Sequence, residues 1–265
     1  IAMLHTIFNI CCTCIFIPFV NQIAAVVSKI IKQSETEENS NYKLPMIFSS
    51  GHGSIELYVL QAEKEIEKMA CRVLSIFNNI YKCLEVSKKE EASESSQEVL
   101  AQENYIYQMK EEITDFLVKC SQLDGATGIV QNKITQLLQI IDYLGNLSDE
   151  SIRIIQNIEK YLSKKQDKKL TSEKILPYMK KVCEFYEYVI KFVGTGLLGT
   201  GLSKSQRAVA SKMEDEIDEM EKLLKKGAKK RLEDGGEVKS LLRYIDIVRR
   251  IENAGDSIYA LLKLL

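Results

Sequence analysis

The sequence is poor in residues that bend or interrupt a chain. Its 265 residues include 13 glycines, 3 prolines and no tryptophan. A β-sandwich or β-barrel needs many turns, so this composition is against an all-β protein. Apolar residues make up 45% of the chain, which is enough to build a core and excludes a disordered protein.

Histidine, net charge and paired cysteines are also scarce. Two histidines and a net charge of −1 exclude a histidine-rich metal site and a strongly basic nucleic-acid-binding protein. The seven cysteines form no Cys-x-x-Cys pair, so we expect free thiols in a reducing compartment. No nucleophile has a base beside it and no phosphate-binding loop is present in the sequence. We therefore expect a protein that is not an enzyme, with no catalytic residue and no organic cofactor.

Residues 1–32 predict one transmembrane helix. No formal charge occurs up to Ser28, and about 20 apolar residues suffice to cross a bilayer. No basic residue precedes this segment, whereas Lys29, Lys32 and Lys43 follow it, which predicts that the remaining chain is cytoplasmic, at the plasma membrane. A signal peptide and a buried core helix are alternatives. A signal peptide would begin with basic residues, which this segment lacks. A buried core helix would be less apolar around its circumference than this segment is.

After a linker at 33–53, the sequence predicts six helices and no strand. Apolar residues recur at alternating spacings of three and four, which places them on one face of each helix. Ser54 and Ser172 are predicted N-caps, and the acidic, serine-rich run Lys88–Ser96 is a predicted connector. The fold class is all-α, with predicted helices at about 54–87, 97–122, 129–163, 172–193, 203–233 and 236–265.

An internal repeat divides the helices into two trios. Two strings recur at a similar distance along the chain: Lys110-Glu111-Glu112-Ile113 as Glu214-Asp215-Glu216-Ile217, and Asn146-Leu147-Ser148-Asp149 as Asn253-Ala254-Gly255-Asp256. Repeated helices of similar length favour two similar three-helix bundles, at 54–163 and 171–265.

Paired carboxylates are the chemical feature of the second bundle. Glu252 and Asp256 lie four residues apart on one helix face, and Glu214 and Asp218 have the same spacing on the preceding helix. If the helices pack antiparallel, these four groups meet and need a cation or a proton between them. A solvated acidic face is the alternative.

The first bundle offers a poorer version of this set. Glu111, Asp115 and Asp149 are its acidic candidates, while Gly145 stands where the repeat predicts the counterpart of Glu252. The repeat therefore predicts fewer ligands there.

Several strings resemble one family. The N-terminal strings Leu4-His5-Thr6-Ile7-Phe8-Asn9 and Phe16-Ile17-Pro18-Phe19 resemble the closing transmembrane helix of bacterial Na⁺/phosphate cotransporters. The later strings resemble the PhoU-like domain fused to those transporters: Ala62-Glu63-Lys64-Glu65-Ile66-Glu67-Lys68-Met69, Glu214-Asp215-Glu216-Ile217 and Arg249-Arg250-Ile251-Glu252-Asn253-Ala254-Gly255-Asp256. The resemblance covers nearly the whole chain.

The resemblance implies a PhoU-like pair of three-helix bundles that regulates phosphate uptake. It implies divalent or trivalent metal ions on Glu252 and Asp256, with Glu214, Asp218 and Asp149 as further ligands. The family's sodium and phosphate sites lie in a membrane core of several helices, which one span cannot supply. We therefore expect the C-terminal portion of a sodium-dependent phosphate transporter, with the membrane core as its partner, and a homodimer as a further candidate assembly.

Two alternatives remain open at this point. One is a free-standing, membrane-anchored adaptor without transport activity. The other is a helical enzyme with metals on paired carboxylates, although the Glu-x-x-His ligands of that design are missing.

Overall fold

The computed structural model describes residues 42–45, 54–86, 89–123, 126–161, 171–193 and 201–265. These residues belong to one compact unit, Asn41–Leu265. The predicted transmembrane helix at 1–32 and most of the predicted linker lie outside the described residues. In the ranges given above, no helix combines the length and the apolar character that crossing a membrane requires.

The described part of the chain is all-α, as predicted. It contains six α-helices and no strand. A single π-helical turn, Thr171–Ile175, precedes the fourth helix. The helices are α1 Ile55–Val86, α2 Lys89–Ser121, α3 Gly128–Tyr161, α4 Leu176–Ile190, α5 Lys204–Glu233 and α6 Val238–Leu264.

The apolar stripes read from the sequence form the core. Two of the predicted stripes, one on α1 and one on α4 with its flanking residues, consist of side chains that are at most 2% exposed. These are Ile66, Met69, Val73, Ile76, Ile80 and Cys83 in the first set, and Ile175, Met179, Val182, Tyr186, Val189 and Val193 in the second. Removing such side chains from water is the main term that holds the helices together.

Two helix starts differ from the prediction. The expected connector Lys88–Ser96 is wrong, because α2 already begins at Lys89. Its Glu, Lys and Ala residues favour helix, and Ser96 and Val99 face the core. The expected N-cap Ser172 is also wrong, because it lies inside the π-helical turn. The Ser54 cap is confirmed: its hydroxyl accepts a hydrogen bond from the backbone N–H of Leu57 at 3.4 Å.

The six helices pack as two trios around one continuous core. Helices α1, α2 and α3 pack on one another, and so do α4, α5 and α6. The trios also meet directly, through α3 with α6 and through α1 with α4. Buried residues of all six helices belong to one apolar cluster.

Polar contacts fix how the trios meet. The hydroxyl of Tyr186 on α4 donates to the carbonyl of Ala70 on α1 at 3.0 Å. Between α3 and α6, Asn157 donates to Asp246 at 2.8 Å. The Arg250 guanidinium donates to Glu150 at 3.3 Å across the same interface. Since the Tyr186 hydroxyl is fully buried, its bond fixes the register of α4 on α1.

A short extended segment, residues 42–45, lies against the first trio. The Tyr42 hydroxyl donates to a carboxylate oxygen of Glu65 at 2.9 Å. Its backbone N–H donates to the side-chain oxygen of Gln108 at 2.7 Å. Tyr42 therefore attaches the start of the described chain to both α1 and α2.

The pattern of burial agrees with the internal repeat read from the sequence. Residues at corresponding positions of the two trios are buried alike. The pairs are Ile66 with Ile175, Val73 with Val182 and Ile80 with Val189 on α1 and α4; Ile106 with Ala210, Ile113 with Ile217 and Cys120 with Leu224 on α2 and α5; and Ile140 with Ile247, Leu144 with Ile251 and Ile155 with Leu262 on α3 and α6. The described residues are thus compatible with the predicted pair of similar helix trios.

Candidate metal centre

The candidate centre lies where α5 and α6 approach closely. A Cβ atom placed on Gly255 would lie 3.2 Å from Cγ2 of Ile217. This distance is tighter than an ordinary contact, so a glycine at position 255 lets α5 come close to α6. The close approach brings the carboxylates that flank Ile217 on α5 up to those of α6.

Three carboxylates converge at this point. Glu214 and Asp218 on α5 and Asp256 on α6 each place one oxygen so that all three lie within 4.8 Å of one another. Glu214 and Asp218 are half-buried, whereas Asp256 is exposed. The structure thus joins three of the five metal ligands predicted from the sequence.

Glu252, the fourth predicted ligand of this bundle, lies beside the three. Burial, followed by the negative charges of Asp256 and Glu221, raises the pKa of Glu252 to about 7. Burial and the nearby Asp218 also raise the pKa of Glu214. Both carboxyls hold protons more tightly than exposed carboxyls do, because concentrated negative charge and burial both disfavour the ionised form.

Two further side chains, those of Tyr178 and Glu221, lie near the carboxylates on the buried side, and neither was among the residues predicted from the sequence. The Tyr178 side chain on α4 is fully buried, and its hydroxyl has no hydrogen-bond partner among the described atoms. Burial raises the Tyr178 pKa, and the next largest causes are the charges of Glu221, Glu252 and Asp218. Glu221 on α5 is only 8% exposed and forms an ion pair with Lys225.

Among the described residues, the basic side chains near the centre lie at its edge, and Lys225, the partner of Glu221, opposes part of the rise in the Glu252 pKa. Lys222 contacts Asp218 at 3.4 Å, and the Lys222 side chain is 70% exposed. Lys263 lies near enough to Glu214 to oppose part of the rise in its pKa. Exposed ion pairs of this kind contribute little, so the carboxylates keep most of their mutual repulsion.

This chemistry suits a hard cation. Carboxylate oxygens are the preferred ligands of Mg²⁺, Ca²⁺ and Mn²⁺, and a cation would relieve the repulsion that the proton otherwise relieves. The buried Tyr178 hydroxyl is an oxygen without a partner on the inner side of the same set. The residues present therefore fit a metal ion bound through oxygen.

The first trio presents a different set. Asp149 lies with Glu103, and the charge of Asp149 contributes to a raised pKa of Glu103 after the larger effect of burial. Glu111 and Asp115 are exposed. Within the described ranges, neither these two nor Asp149 belongs to a group of three potential ligands that meets the 4.8 Å distance.

The fold has a counterpart among solved structures. The chain is similar to the crystal structure of the phosphate transport system regulatory protein PhoU from Streptococcus pneumoniae, with a TM-score of 0.63 and 14% sequence identity. The likeness covers 80% of this chain and 94% of that chain. The chain has a PhoU-like fold. No protein-family model matches the sequence, and no curated protein matches it.

The PhoU-like fold confirms one half of the resemblance seen in the sequence. The six helices of the described residues correspond to the predicted PhoU-like domain. Membership of the Na⁺/phosphate cotransporter family stays a prediction, and so does the transmembrane helix.

Proposed function

We propose that this chain is a regulatory module of phosphate uptake, acting without catalysis of its own. The observation that carries the proposal is the PhoU-like fold over 80% of the chain, since the similar protein is a regulator of a phosphate transport system. At 14% identity the likeness concerns the fold, so function must be tested separately.

We propose further that the second trio binds a divalent or trivalent metal ion. Glu214, Asp218 and Asp256 would supply oxygen ligands, with Glu252 beside them as a fourth. The bound charge would join α5 to α6, and its loss would leave like charges facing each other across that interface. A regulator could use this dependence to couple its shape to the supply of the ion.

Elemental analysis of the purified chain tests the metal proposal. We expect bound metal in the parent chain and its loss in Asp256→Asn. Asp234→Asn is the matched control, since Asp234 is an exposed residue at the end of α5 and its change removes the same charge. Equal and negligible metal in all three proteins would leave only an acidic surface.

The uptake of labelled phosphate tests the regulatory proposal. Cells that carry a sodium-dependent phosphate transporter would be compared with and without this chain. We expect the chain to change the uptake rate, and Asp256→Asn to weaken that effect more than Asp234→Asn does. An uptake rate that is the same with and without the chain would contradict a regulatory role.

We propose that the module belongs to a sodium-dependent phosphate transporter, with residues 1–32 as a membrane helix and the rest in the cytoplasm. The support is the sequence: an uncharged N-terminal segment followed by lysines, and strings like those of the cotransporters. The membrane core, which would hold sodium and phosphate, is the proposed partner. A second copy of the chain, forming a homodimer, is another proposed partner. Light scattering would detect the homodimer from its mass.

Cysteine labelling tests this location. Cys71 is exposed, whereas Cys83, Cys120 and Cys183 are buried. A maleimide that cannot cross membranes should label Cys71, identified as the labelling that is lost in Cys71→Ser, in lysed cells but not in intact cells. Labelling in intact cells would contradict the cytoplasmic location.

A free-standing, membrane-anchored adaptor is the alternative to a transporter module. Co-purification from detergent extracts distinguishes the two. A transporter core that stays with the chain supports the first, and a chain recovered from membranes without one supports the adaptor.

A further inference from the structure

We propose that the first trio holds no metal ion at the position equivalent to the candidate centre, because the ammonium group of Lys110 takes the place of the cation. This inference deepens the proposed function, since it assigns metal binding to one of the two trios only.

The repeated sequence strings align Lys110 with Glu214 and Asp149 with Asp256, and the buried positions agree with this alignment. With Ile66 on Ile175, Ile113 on Ile217 and Leu144 on Ile251, each residue of the candidate centre has one counterpart in the first trio. Met69 corresponds to Tyr178, Lys110 to Glu214, Thr114 to Asp218, Leu117 to Glu221, Gly145 to Glu252 and Asp149 to Asp256.

These replacements remove the excess negative charge. Across the six positions, the second trio carries five carboxylates, whereas the first carries one carboxylate, Asp149, and one ammonium, Lys110. The phenol of Tyr178 becomes the thioether of Met69, a weak and soft ligand. At these six positions the first trio therefore carries no net charge, and the one further carboxylate named beside Asp149 is that of Glu103.

The geometry shows that the lysine occupies the space of a ligand. A Cβ atom on Gly145 would lie 2.8 Å from Cδ and 3.0 Å from Nζ of Lys110. A side chain at position 145, the counterpart of Glu252, would therefore require the flexible end of Lys110 to move away. Lys110 and Gly145 are matched to each other, and the ammonium is held by Asp142 at 2.8 Å.

A cavity of about 220 Å³ remains beside this pair. Glu103, Lys110, Ser148 and Asp149 are among its lining residues. Ser148 is 1% exposed, and its hydroxyl has no hydrogen-bond partner among the described atoms. The cavity offers space and oxygen atoms, so the positive charge of Lys110 is the feature that keeps a metal ion out.

Exchanging the two matched residues tests the inference. The second-trio site is first silenced by Glu214→Gln and Asp256→Asn in the full chain. Lys110→Glu and Gly145→Glu are then added to this background. We expect the silenced chain to show no thermal shift with Mn²⁺. The exchanged chain should gain about 5–10 °C in its unfolding midpoint at an Mn²⁺ concentration about 100 times its dissociation constant.

Two controls make the result specific. Lys119→Glu in the silenced background changes the charge of an exposed α2 lysine by the same amount and should not create a Mn²⁺ response. Lys110→Glu alone keeps Gly145, and it should give a smaller response than the double exchange. The single change also keeps the inference testable if the double exchange does not fold.

The outcomes are separable from those of the proposed function. If the parent chain binds no metal, the proposed metal function fails, while the comparison of silenced and exchanged chains still tests Lys110. A Mn²⁺ response in the silenced chain with Lys110 intact would overturn the inference. So would the absence of a response in folded chains that carry Lys110→Glu with or without Gly145→Glu.

Discussion

Glu252→Gln should make the metal-free protein more stable at neutral and alkaline pH. The pKa of Glu252 rises from its ordinary value of 4.5 to about 7 in the folded chain. Between these values the folded state binds more protons than the unfolded state, so stability falls as pH rises through this window. Replacing Glu252 by glutamine removes this loss of stability, because an amide has no charge to bury.

The size of the effect follows from the pKa values. A carboxyl pKa that moves from 4.5 to about 7 corresponds to about 3 kcal/mol at full strength, since a tenfold change in proton affinity is about 1.4 kcal/mol. Glu252 is only half-buried, and solvent screens part of this energy. We therefore expect Glu252→Gln to stabilise the protein by about 1–2 kcal/mol at about pH 8 and by almost nothing at about pH 4.5.

Thermal unfolding in the presence of a chelator measures the difference. For a folded unit of this size, about 1–2 kcal/mol corresponds to a rise of about 2–8 °C in the midpoint. Glu233→Gln at the exposed end of α5 is the matched control and should show no comparable rise. Adding Mn²⁺ should narrow or reverse the gap, because the ion stabilises the carboxylate and not the amide.

One result would refute this reasoning. If Glu252→Gln is no more stable than the parent at about pH 8 in chelator, then Glu252 carries no electrostatic cost in the fold. The convergence of carboxylates would then be a solvated surface, and the argument for a cation would lose its energetic basis.

Four further changes test the packing and the helix ends. Gly255→Leu should destabilise by about 1–3 kcal/mol in denaturant unfolding, since its side chain would meet Ile217, whereas Gly227→Ala, with no neighbour within 4 Å, should stabilise by up to about 1 kcal/mol. Tyr186→Phe should cost about 1 kcal/mol in the same assay, because the buried bond to the α1 carbonyl is lost. Ser203→Ala should lower the thermal midpoint by an amount equivalent to about 1 kcal/mol, since its hydroxyl caps α5.

Much of the fold could be predicted from the sequence because apolar spacing has a direct physical meaning. Apolar residues spaced three and four apart form one helix face, and such a face is expected to be buried. The apolar stripes of α1 and α4 are buried in the structure. The start of α2 could not be predicted in this way. Lys88–Ser96 has the charge and serine content of a connector, and only the burial of Ser96 and Val99 shows that the helix continues through it.

The candidate centre was predicted in part for a similar reason. The spacing of Glu214 with Asp218 and of Glu252 with Asp256 places each pair on one helix face. Packing of α5 against α6 then brings Glu214, Asp218 and Asp256 together. Tyr178 lies in an apolar stripe, where a tyrosine is expected as core, so the direction of its hydroxyl needed the packed structure. Glu221 could have been noticed, because it interrupts the buried face of α5.

The role proposed for Lys110 could not be predicted from the sequence, for a different reason. The repeat already aligned Lys110 with Glu214, yet an aligned lysine alone indicates only a lost ligand. Its role depends on the space over Gly145, and this space depends on how closely α2 packs on α3.

The continuous core restricts how the module can move. Since α3 packs along α6 and α1 along α4, the trios could not swing apart about a hinge without exposing isoleucines and leucines to water. A change that begins between α5 and α6 would reach α1 and α2 as a shear, with helices sliding past one another by small steps. A partner bound to the first trio would then sense a displacement of helices and not an opened cleft.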